Sequence, residues 1–189
     1  HKVVYTFVFE NDIDLELKTY NNIDRFADNT ETAYIDIREG TFDMLEYFDK
    51  TFKGPENTGK NVTILKKKDQ YEIFVMTGEN EPGILPLGGD FKFICKENES
   101  TIEFIGAFHK TYKPIRLSES KSFMHYHSEA ASDFITPTDI CLLMLYYDYT
   151  LTNEHLVISE NYISVFNSED IEIKIYNKDS YNQKFNTSY

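Results

Sequence analysis

Asp139-Ile140-Cys141-Leu142-Leu143-Met144-Leu145-Tyr146-Tyr147-Asp148-Tyr149 is the longest apolar run in the chain, with no polar position between Ile140 and Tyr147. A strand turns alternate residues to opposite faces, so a run apolar at every position needs cover on both sides. On that reading the run is a central strand. It falls well short of the roughly 20 apolar residues that span a membrane as a helix. Its flanks, Pro137-Thr138 before and Thr150-Leu151-Thr152-Asn153 after, have the composition of turns.

Outward from this run the dominant pattern is alternation. Val3, Tyr5, Phe7 and Phe9 share one parity, and Ile13, Leu15 and Leu17 alternate with Asp14, Glu16 and Lys18, so a hairpin is expected across Asn11-Asp12. Asn21 to Thr32 reads as polar loop and Ala33 to Ile37 as a strand. The spacing of Leu45, Phe48 and Phe52 predicts one short helix near 41–52, closed by Gly54-Pro55. Further strands are expected at Val62 to Leu65 and Tyr71 to Met76, joined through Lys66-Lys67-Lys68. Phe91, Phe93 and Cys95 share a face, as do Ile102, Phe104, Gly106 and Phe108, which predicts a second hairpin, with Gly106 marking a bulge or a close backbone approach. His155 to Ile158 and Tyr162 to Phe166 form a third, and Ile171, Ile173 and Ile175 a last amphipathic strand. The fold expected is all-β, mainly an antiparallel sandwich or barrel, with the one short helix near 41–52. A single domain covers 1–176, and 177–189 forms a polar tail.

With 189 residues, 15% aromatic content and a net charge of −13, the chain is acidic but too rich in apolar residues for a disordered protein. A pI near 4.8 argues against nucleic acid, whose phosphates require a basic footprint. No segment has the length and apolarity of a membrane helix, and no basic-then-apolar leader is present, so a signal peptide has been removed or was never there. Three glycosylation sequons stand at Asn61, Asn98 and Asn186, and with them an extracellular setting is expected. There, Cys95 and Cys141 could close a disulfide around about 45 residues, an effect of about 3–4 kcal/mol if unstrained; two buried thiols are the other reading.

Few residues announce chemistry. There is no G-x-S-x-G elbow, and Gly88-Gly89 runs into Asp90-Phe91 without the lysine and hydroxyl of a phosphate loop. The Pro/Gly-rich segment 78–90 carries Ile84, Leu85 and Leu87, which either pack back onto the domain or form an exposed apolar lip that could bind a partner. Tyr149 in the tyrosine cluster is a further candidate binding anchor. On a strand, His125 and His127 project from one face about 7 Å apart, a spacing that can share a metal ion. His1 at the start of the chain resembles the terminal histidine of copper monooxygenases and copper carriers in that one feature. The resemblance implies a copper site completed by a further histidine.

These features point to a secreted acidic glycoprotein that acts as a non-enzymatic binding module for a basic protein ligand of the cytokine or chemokine kind, with no cofactor. Two alternatives stand beside it: a lipocalin-like barrel carrying a small hydrophobic or amine ligand, although no Gly-x-Trp motif is present, and a copper-binding protein using His1 with His125 and His127.

Overall fold

The computed structural model of the chain describes residues 1–9, 17–52, 58–97, 99, 101–109, 111–116, 123–126, 132–147 and 153–185. In chain order its elements are β1 (Lys2–Phe9), β2 (Leu17–Phe26), α1 (Asn29–Phe52), β3 (Gly59–Lys67), β4 (Gln70–Gly78), β5 (Ile84–Leu87), β6 (Phe91–Lys96), β7 (Ile102–Ala107), β8 (Lys113–Arg116), β9 (Phe123–Tyr126), α2 (Pro137–Leu145), β10 (Glu154–Ile158), β11 (Tyr162–Asn167), β12 (Glu172–Asn177) and α3 (Lys178–Phe185). The expected β-rich, mainly antiparallel fold is what the chain adopts. There are two four-stranded sheets, ordered β3-β4-β6-β7 and β12-β11-β10-β9, and two two-stranded ones, β1-β2 and β5-β8. Only β9-β10 is described as a parallel pair.

Alternation builds the first large sheet. Tyr71, Ile73 and Val75 on β4 and Phe91, Phe93 and Cys95 on β6 are all buried on one face, against Ile37, Leu45 and Phe48 of α1. The β6-β7 hairpin forms as its pattern predicts. A bulge at Ile105 lets Lys92 pair with Gly106 and Phe93 with Phe104. Gly106 has open space where a Cβ would sit, so it accompanies the bulge without a close approach.

Helix α1 is longer than expected, and Ala33 to Ile37 belongs to it rather than to a strand. Tyr34, Ile37, Thr41, Leu45 and Phe48 recur every three to four residues, the period of one helical face. The helix starts on a capping box: Glu31 N donates to Asp28 Oδ1 at 2.9 Å and Asp28 N donates to Glu31 Oε2 at 2.9 Å. At mid-helix Gly40, Ile102 Cδ1 of β7 lies 2.9 Å from where a Cβ would be, so the Ile102 side chain packs directly on the helix there. β1 and β2 pair antiparallel, with Phe9 opposite Leu17, and Asn21 to Phe26 is strand instead of loop; the turn expected at Asn11-Asp12 and the run Ile13 to Leu15 lie outside the described residues.

The apolar run that suggested a central strand lies in helix α2 from Asp139 to Leu145. Thr136-Pro137-Thr138-Asp139 is a helix start: Thr136 caps, Pro137 takes the first turn, and Asp139 Oδ2 accepts from Thr136 N at 2.8 Å. Leu142 and Leu143 bury against Leu85 and Leu87 of β5 and Val157 and Phe166 of β10 and β11. Tyr149 lies outside the described residues. Residues from 177 were expected as a polar tail, yet α3 packs Tyr181 onto Ile158 and Ile163.

Candidate functional site

Two arrangements of polar side chains stand out. The first is buried where the β6 strand, the β7–β8 connection and α2 meet. Gly88 and Gly89, at φ 82° and 67°, bring Asp90 into this junction; a Cβ on Gly88 would meet Thr111 O at 2.0 Å and one on Gly89 would meet Thr77 Oγ1 at 2.6 Å. His109 Nδ1 lies 2.8 Å from Asp90 Oδ1, and its Nε2 lies 3.3 Å from Asp139 Oδ1. Thr138 Oγ1 donates to Asp90 Oδ2, and Thr136 Oγ1 donates to Asp139 Oδ2 at 2.8 Å. Nearby, Lys60 Nζ donates to Thr77 Oγ1 at 3.0 Å and to Gly89 O at 3.3 Å.

Burial opposes charge on His109, but hydrogen bonds to Asp139 and Asp90 and their negative charge outweigh it and raise the imidazole to about 10. At neutral pH the ring is therefore an imidazolium between two carboxylates. A cationic ring gives no lone pair to abstract a proton, so the cluster clamps α2 to the first sheet and does not act as a neutral-pH general base.

The second arrangement is on the surface. A cleft of about 500 Å³ runs between α1 and the β4, β6 and β7 strands. Ala33, Ile37, Gly40, Tyr71, Cys95 and Ile102 form its apolar part, and Asp36, Lys96, Glu97 and Glu99 its polar part. Lys96 Nζ meets Glu99 Oε1 at 3.0 Å, and Lys66 pairs with Glu97. From Asp36 an acidic stripe continues along the exposed side of α1 through Glu39, Asp43 and Glu46, beside Tyr47, which is 70% exposed. Arg38 is turned aside over the Phe42 ring, 4.8 Å from its centroid.

The residues expected to form sites are dispersed. Cys95 and Cys141 are free thiols, which corrects the disulfide: Cys95 faces the core under α1, while Cys141 sits on α2 in a cavity of about 200 Å³ with Thr63, Leu65, Phe74, Met76, Pro137 and Thr138. Burial raises both thiols, with Glu99 adding to the effect at Cys95, so neither is activated. Ile84, Leu85 and Leu87 are buried on β5 and form no exposed lip, because both faces of this strand are covered, with Leu85 and Leu87 packed on Leu142 and Leu143 of α2. His1 Nε2 lies 3.9 Å from Asp36 Oδ1, and His1, Asp36 and Glu39 form an exposed group. His125 pairs with Val157 across β9-β10, and His127 lies outside the described residues. Asn61 is exposed on β3, whereas Asn98 and Asn186 are not described.

Sequence reasoning passed over Asp90, Asp139 and the acidic stripe. The helix-start signal at Thr136 would have found Asp139, and a 3.6-residue reading of 31–48 would have put Asp36, Glu39, Asp43 and Glu46 on one side. The chain matches no known family model, curated protein or solved structure.

Proposed function

We propose that this protein is a non-enzymatic binding module whose acidic α1 face engages a basic protein ligand in an extracellular setting. The observation that carries this reading is the stripe Asp36, Glu39, Asp43 and Glu46, all exposed on one side of a 24-residue helix. Four carboxylates along a rigid rod present a regular row of acceptors to lysine and arginine side chains. Tyr47 offers an exposed ring beside the row, the kind of anchor that cationic groups and apolar stems both pack on. The net charge of −13 extends the attraction beyond contact distance.

The test is binding of an oligo-arginine peptide to the folded chain, followed by calorimetry at increasing salt. The variant D36N/E39Q/D43N/E46Q is expected to lose most of the binding. A control with the same charge change, D69N/E103Q/E160Q/D170N, removes exposed carboxylates elsewhere and is expected to keep it. Equal loss in both would show that net charge, not the α1 face, is responsible.

The cleft beside α1 favours a second reading, a small amine with an apolar body. Its volume of about 500 Å³ lies within the range of ligand sites, and with Glu97 on Lys66 and Glu99 on Lys96, Asp36 is the carboxylate at its mouth that would face an amine. A co-purifying amine in native mass spectrometry, lost on Ala33→Phe, is the expected signature; a chain that carries nothing would leave the helix face alone as the binding surface.

A further inference from the structure

The second large sheet ends at β12, with no strand described beyond it. Its core-facing side continues past its cover: Phe166 and Val157 are buried, but their neighbours toward the edge are Ile173 at 43% exposure and Ile175 at 51%, with Ile171 at 60% just before the strand. Ile171 is held at φ 53°, a left-handed conformation that branched side chains avoid. On the opposite side of β12, Glu172 and Lys174 are exposed and meet at 2.5 Å.

The direction of the backbone groups follows from the pairing with β11. Lys178 N donates to Asn161 O at 2.9 Å, in the same register that pairs Tyr176 with Ile163, Lys174 with Val165 and Glu172 with Asn167. Hydrogen-bonded pairs recur at every second residue of an antiparallel ladder. Tyr176, Lys174 and Glu172 therefore aim their N–H and C=O groups at β11, while Ile173 and Ile175 aim theirs outward from the edge.

We propose that β12 pairs antiparallel with β12 of a second copy, with Ile173 facing Ile173 across a two-fold axis. This register is the one that the side chains select. It places Ile173 in a hydrogen-bonded pair with its own copy and runs Ile175 toward Ile171 of the other chain, so apolar groups cover apolar groups. It also places Glu172 opposite Lys174 of the second copy, twice, at non-hydrogen-bonded positions where opposing side chains come closest. Moving the axis to Lys174 sets lysine against lysine, and moving it to Ile175 leaves Glu172 outside the pairing. The β12 sheets of the two copies thus join into one continuous sheet, which pairs the outward-facing backbone groups of Ile173 and Ile175 on both edges.

The experiment is sedimentation equilibrium of the whole chain from micromolar to hundreds of micromolar, with circular dichroism to confirm that each variant is folded. The wild type is expected to dimerise. E172K and K174E each set like charges opposite one another at two places and are expected to raise the dissociation constant about tenfold. The double reversal E172K/K174E is expected to restore dimerisation. An equimolar mixture of E172K and K174E is expected to give the heterodimer, because this register then pairs every introduced charge with its opposite. A wild type that stays monomeric throughout would overturn the proposal, as would a dimer indifferent to both single reversals or a double reversal no better than the singles.

Discussion

His109 holds a proton that its own burial opposes, because Asp90 and Asp139 flank the ring. A histidine in the unfolded chain titrates near 6.5, whereas His109 in the folded chain titrates at about 10. The folded state binds this proton more tightly, so the stabilisation is fully present below about pH 6.5 and is lost as pH rises toward about 10. Lys60 lies close by, on Thr77 and Gly89. Thermal unfolding from pH 6 to pH 10 is expected to show a falling midpoint in the wild type. In His109→Gln the midpoint is expected to be lower at pH 6, by the equivalent of about 3 kcal/mol or more, since removing one partner leaves buried carboxylates uncompensated. The difference between the two chains should shrink as pH rises; a constant difference would show that the ring acts through packing and not through charge.

The helices owe their starts to short local signals. In α2, Thr136 accepts from Asp139 N at 3.2 Å, donates to Asp139 Oδ2 at 2.8 Å and lies 2.9 Å from Thr138 Oγ1, so one hydroxyl both begins the helix and braces the His109 cluster. Thr136→Ala is expected to cost about 1–2 kcal/mol in chemical denaturation, and Thr136→Ser much less, because serine keeps the hydroxyl. Equal losses in both would assign the effect to the lost methyl group. Strands with one covered face were legible in the sequence: Tyr71, Ile73 and Val75 alternate with half-exposed Glu72 and Phe74 because α1 covers only one side. The run Ile140 to Leu145 was not, since an apolar stretch this short has neither period. The composition of the flank before it, Pro137-Thr138, was read as a turn when it was a helix start. The acidic stripe was hidden by the same kind of error, for alternation of Ile35 and Ile37 suggested a strand and broke the helix that lines up Asp36 with Glu46. The His109 cluster is a product of tertiary structure, drawn from Asp90, His109 and Asp139, and no local spacing joins them.

The whole molecule has a formal net charge of −13, and its two proposed surfaces should respond to salt in opposite ways. A basic ligand on α1 is held by attraction between unlike charges, so its affinity falls steadily as salt screens the fields. Two copies meeting at β12 bring like-charged bodies together. Their long-range repulsion is screened over about 10 Å at 0.1 M salt, while the contacts between Glu172 and Lys174 act at much shorter range. Dimerisation is therefore expected to strengthen between low salt and about 0.15 M, over the same interval in which oligo-arginine binding weakens. Sedimentation and calorimetry on the same samples would read both trends. In K174E the dimer is expected to weaken while peptide binding stays near wild type, and in D36N/E39Q/D43N/E46Q peptide binding is expected to fall while the dimer strengthens, because the repelling charge is reduced. If the two quantities moved together in both variants, one electrostatic surface would have to serve both roles, and the separation of α1 from the β12 edge as independent interfaces would fail.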